Sequence, residues 1–110
     1  MCHYQTLYHD DNTGYVVRCN ECEKIQVGYS NLVITFTTGD FDSFRWWLQK
    51  IRDEQHPSQK ATVRNIMIPT PCEGMKLLLS LRELNEFTTM LEAADTELRS
   101  LQLIKLFDNH

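Results

Sequence analysis

No stretch of apolar residues in this chain approaches the roughly 20 that a membrane-spanning helix requires. No run of basic residues occurs either. Lys and Arg, 11 in all, are scattered singly from Arg18 to Lys105, and the formal charge is -4. A nucleic-acid footprint needs a concentrated basic face, so that class of partner is not expected. Met1 to Gln5 has neither the basic segment nor the apolar core of a secretory signal. The reading is therefore a cytoplasmic protein that touches no membrane. Its four cysteines are expected to stay reduced there, as metal ligands or thiols rather than disulfides.

What is present is enough for one domain. A chain of 110 residues, 42% hydrophobic and 24% charged, can bury a single modest core. The most informative stretch is Cys19-Asn20-Glu21-Cys22, set between the strand-like runs Gly14–Arg18 and Lys24–Gly28. Two cysteines three apart in a turn between strands can aim both sulfurs at one tetrahedral ion. The segment Tyr15 to Val27 resembles the knuckle hairpins of zinc ribbons and rubredoxin-like proteins. That resemblance implies a bound metal, although a full ribbon carries a second C-x-x-C pair and this chain has one.

A repeat organises the rest. At an offset of 43 residues, Leu32–Leu48 matches Met75–Leu91. Thr37 and Ser80 are N-cap hydroxyls, with Asp40 and Glu83 three residues on to complete capping boxes. Phe36 with Phe41, and Leu79 with Leu84, occupy the hydrophobic-staple positions. Strand-like runs joined by polar loops precede each unit, at Lys24–Gly28 and at Val63–Pro69, so each half reads β-β-α. An extra hairpin, Tyr4–Tyr8 and Tyr15–Arg18, turns through Asp10–Gly14. The expected fold is α+β: one antiparallel sheet with helices on one face, and a further C-terminal helix. Its parts are a hairpin and knuckle over 1–23, β-β-α units over 24–54 and 62–95, and the last helix over 96–110. The first helix is expected over Thr38–Asp53.

Leu84, Phe87, Leu91, Ala94, Leu98 and Leu101 keep a 3-4-3-4-3 spacing, the seam of a packed helix. Leu103, Ile104, Leu106 and Phe107 then surround the axis, which predicts a new cap near Asp95-Thr96 or burial against a second copy. Trp46 falls nearly opposite the core stripe of Phe41, Phe44, Leu48 and Ile51, and Trp47 at its edge. Exposed Trp is enriched at interfaces. Trp46, Leu103, Ile104 and Phe107 are thus the expected contacts of a homodimer.

For metal, a turn centred near Asn12 sets Cys2 opposite Cys22, adding a third sulfur. Cys72 is the expected fourth zinc ligand and His3 the reserve. The competing use of these thiols is redox chemistry at Cys19 and Cys22, or nucleophilic chemistry at Cys2 with its own amine as base. Glu21 and Glu23 would raise a neighbouring thiol's pKa, and no helix N-terminus follows the pair, so reactivity is disfavoured. His9-Asp10-Asp11 is first of all turn chemistry. Asp40 and Asp42 complement the first helix's dipole, and His56 and His110 receive no role. Base stacking on Tyr15 and Tyr29 is opposed by the acidic charge. The sequence therefore describes a non-catalytic interaction or regulatory module with a structural zinc knuckle.

Overall fold

Alternating burial along short β-rich runs builds the sheet. In a computed structural model describing residues 3–56 and 59–108, β1 (Tyr4–Asp10), β2 (Gly14–Cys19), β3 (Ile25–Tyr29) and β4 (Leu32–Phe36) form an antiparallel meander in that order. Cys2, named among the candidate ligands, lies outside the described residues, as does His110. Leu7, Val16, Ile25, Val27, Tyr29, Ile34 and Phe36 are buried, one face's worth of side chains. The Asp10 carboxylate closes the first turn by accepting from the N–H groups of Asn12 (2.8 Å) and Thr13 (3.1 Å).

α1 (Thr38–Asp53) starts where its cap predicts: Thr37 Oγ1 accepts from the Asp40 N–H at 3.1 Å. The staple is made, with the Phe36 and Phe41 rings 6.2 Å apart and edge-on. A short hairpin follows, β5 (Ile66–Pro69) with β6 (Lys76–Leu79). It leads through Ser80 into α2 (Leu81–Asp108). Here both bonds of the capping box form: Glu83 N–H donates to Ser80 Oγ (3.1 Å) and Ser80 N–H to Glu83 Oε1 (3.0 Å). Glu83 is one methylene longer than Asp40 and reaches back to the cap. The inner faces of both hairpin sets and of both helices close into one core, with Tyr29 stacked on Phe87 at 4.5 Å and Phe44 edge-on to Phe87 at 5.7 Å.

Three expectations are corrected. The strands form two sheets of four and two strands rather than one. The tip of the β3–β4 hairpin is tied to α2, through the Tyr29 hydroxyl donating to Glu83 O and Glu86 Oε1, and a cleft of about 400 Å³ separates it from β6. Second, α2 runs unbroken for 28 residues, so among the described residues there is no separate C-terminal helix. Neither candidate cap is available: Thr96 Oγ1 donates to the Glu92 carbonyl at 3.0 Å, and the Asp95 carboxylate is held by Arg99 (2.9 Å) and Arg45 (3.7 Å). Third, β1 pairs with β2 in two registers. Tyr8 faces Val16, but beyond an irregularity Thr6 faces Val17 and Tyr4 faces Cys19. The equal spacing that set Cys2 opposite Cys22 therefore does not persist along the hairpin.

Candidate functional site

Backbone hydrogen bonds close the Cys19–Lys24 turn between β2 and β3. Cys19 N–H donates to Lys24 O and Glu23 N–H to Cys19 O, both at 2.9 Å. The Cys22 N–H donates to Cys19 Sγ at 3.4 Å. To close the turn, Glu23 takes the left-handed conformation, φ 63°. A non-glycine residue there costs on the order of 1–2 kcal/mol of local strain. The surroundings hold the turn in that shape. Arg18 reaches the Glu23 carboxylate at 3.5 Å, and Thr38 Oγ1 donates to Glu23 O at 3.3 Å, fastening the turn to the start of α1. Cys19 is buried and Cys22 exposed.

His3 lies beside this turn, because the Asn20 N–H donates to His3 O at 2.9 Å. Its imidazole Nε2 stands 3.5 Å from Glu21 Oε1. Cys72 belongs to a different neighbourhood. It is exposed in the β5–β6 loop, where its N–H donates to Thr70 Oγ1 at 3.2 Å. That loop faces Asp40, Ser43 and Trp47 of α1 across a cleft of about 170 Å³. Among the described residues, no three His, Cys, Asp or Glu side chains converge as a metal site would require, so neither Cys72 nor the His3 imidazole is brought together with Cys19 and Cys22. No helix begins at the Cys19–Cys22 pair itself; the N-terminus of α1 meets the turn at Glu23, through Thr38.

The chain belongs to a family of unknown function, DUF6686. Its family model matches residues 1–109. No curated protein and no solved structure matches the chain.

A second polar cluster escaped the sequence reading except for its capping role. Arg64 donates Nε and Nη2 to the two Glu83 carboxylate oxygens, each at 2.9 Å. That bond, with the Ser80 N–H, lowers the Glu83 pKa to about 2. Burial, then the bond to Glu86, pushes the Tyr29 hydroxyl well above its usual value. Every member is already bonded to another protein group, so the cluster is a structural clamp on the start of α2. Arg45 makes a similar clamp between the helices, with Glu92 at 3.0 and 3.1 Å and Asp42 and Asp95 at 3.7 Å. Trp46 is 51% exposed, its indole edge-on to Trp47 at 5.2 Å with Lys50 Nζ 5.0 Å from its centre. No helix among the described residues is long and apolar enough to cross a membrane.

Proposed function

We propose that this chain is a small cytoplasmic interaction module without catalytic activity, whose N-terminal hairpin holds one structural zinc ion. The observation that supports it is the Cys19–Lys24 turn, where a backbone N–H faces the Cys19 sulfur and Glu23 accepts a strained backbone to close the loop. Cys19 and Cys22 supply two ligands and Cys2 a third. The fourth place goes to His3 ahead of Cys72, since Asn20 is bonded to the His3 backbone while Cys72 keeps company with Thr70. The His3 imidazole, which stands against Glu21 and apart from the two sulfurs, would turn to reach the ion. Such a closed set would bind zinc with Zn–S distances of about 2.3 Å and tie the start of the chain to β2 and β3, with no open position for substrate. In the same reading the two β-β-α stretches are one unit used twice. An experimental structure in which 32–48 and 75–91 fail to superpose would remove that part.

Metal analysis of protein purified without chelator, beside thiol titration under native conditions, tests the zinc reading. About one zinc per chain with slowly reacting thiols is the expected result. Cys19→Ser and Cys22→Ser should each lose the metal, and Cys72→Ser should keep it. Metal-free protein with fast-reacting thiols would transfer the case to redox chemistry at Cys19 and Cys22.

A further inference from the structure

α2 carries apolar residues on two opposite sides. The inner side, with Leu84, Phe87, Leu91, Ala94 and Leu98, is buried in the core. At 100° per residue the outer side carries Ala93, Thr96, Ser100, Leu103 and Phe107 at 3-4-3-4 spacing, with Ile104 next to Leu103. All six are exposed, and Leu103, Ile104 and Phe107 are 55, 55 and 69% exposed. Because the helix is continuous to Asp108, its end cannot turn back to cover them.

This outer seam is sorted by size. Its first half is small (Ala93, Thr96, Ser100) and its second half large (Leu103, Ile104, Phe107). Thr96 has already given its hydroxyl to the Glu92 carbonyl, which leaves it a methyl to present. A seam graded from small to large is complementary to itself reversed, and a two-fold contact has that reversed symmetry. We propose that a second copy of this chain packs its α2 antiparallel along this face, about a two-fold axis at Ser100. Phe107 of each copy then covers Ala93 of the other, and Ile104 covers Thr96. Parallel pairing would instead stack Phe107 on Phe107 and leave a gap between the two Ala93 positions. The seam from Ala93 to Phe107 is about 21 Å long at the helical rise. Leu103, Ile104 and Phe107 become buried in the pair, and Trp46, on the neighbouring helix, is not needed by it.

Sedimentation equilibrium of the whole protein at micromolar concentration should give the mass of a dimer. Leu103→Glu with Phe107→Glu should give a monomer whose helical circular dichroism is unchanged. Ser100→Cys should form a disulfide between copies on mild oxidation, mapped as a 100–100 linked peptide. Arg82→Cys, on the same face but about 54 Å from its counterpart in the antiparallel pair, should not. A monomeric mass for the native protein overturns the proposal. So does a dimer that survives both glutamates, one without the 100–100 link, or one in which Arg82→Cys links instead.

Discussion

The ring of Tyr15 lies across Gly28, filling the space that a Cβ on residue 28 would need. The two are cross-strand partners in β2 and β3, and the Tyr15 hydroxyl donates to Gln26 Oε1 at 2.9 Å, which pins the ring in place. Gly28→Ala should therefore destabilise the fold by about 1–3 kcal/mol, the usual range for overpacking. Urea denaturation measures it. In a Tyr15→Ala background the same substitution should cost much less, and equal costs in both backgrounds would refute the contact as the cause.

Glu23 offers the opposite sign. Its φ of 63° is one that glycine adopts without steric cost. Its ion pair with Arg18 is long. Although Arg18 is 18% exposed, the Glu23 side chain is 69% exposed, so water screens the pair and relief of strain is the larger effect. Glu23→Gly is expected to stabilise the protein by about 0.5–1 kcal/mol, seen as a higher denaturation midpoint with an unchanged slope. A lower midpoint would mean that the carboxylate contributes more than the strain removes.

The sequence made some of these features readable and hid others for definite reasons. The boundaries of α1, the cap and box at Ser80 and Glu83, and the turn at Asp10 are written in local residue types, and the structure has them there. The unbroken α2 was hidden because Asp95 and Thr96 look like a cap, and only tertiary contacts reveal that Arg45, Arg99 and the Glu92 carbonyl already engage them. The register change between Thr6 and Tyr8 leaves no mark in residue type, which undercut the simple pairing of Cys2 with Cys22. The division into two sheets goes with long-range contacts such as the Tyr29 hydroxyl reaching α2 across 54 and 57 residues of chain, a distance no local pattern spans.

Arg45 lies among Asp42, Glu92 and Asp95, with Arg99 the second cation at Asp95, and the Arg45 side chain is 16% exposed. Removing it would leave Asp95, which is 8% exposed, with Arg99 as its remaining charged partner. Arg45→Ala should cost about 2 kcal/mol or more, because an incompletely compensated, largely buried carboxylate loses its desolvation balance. Arg45→Ala combined with Glu92→Ala and Asp95→Ala should recover part of the loss in thermal denaturation. No recovery would assign the cost to lost packing of the Arg45 stem.

The clamp on α2 gives the protein a defined response to acid. Arg64 and Ser80 hold the Glu83 pKa at about 2, below its value in an unfolded chain. A carboxylate with a depressed folded pKa contributes stability that is fully present above the unfolded pKa, about 4.3. That contribution is lost as pH falls through the interval down to about 2. The size is modest. Arg64 is 64% exposed, so water screens the ion pair, and the capping bond adds about 1 kcal/mol. Glu83→Gln should therefore lower stability at pH 7 by about 1 kcal/mol and converge on the native protein near pH 2. Melting curves of both proteins from pH 7 to pH 2 read the difference directly. A gap that stays constant over that range would show that the loss comes from altered cap geometry rather than from the Glu83 charge.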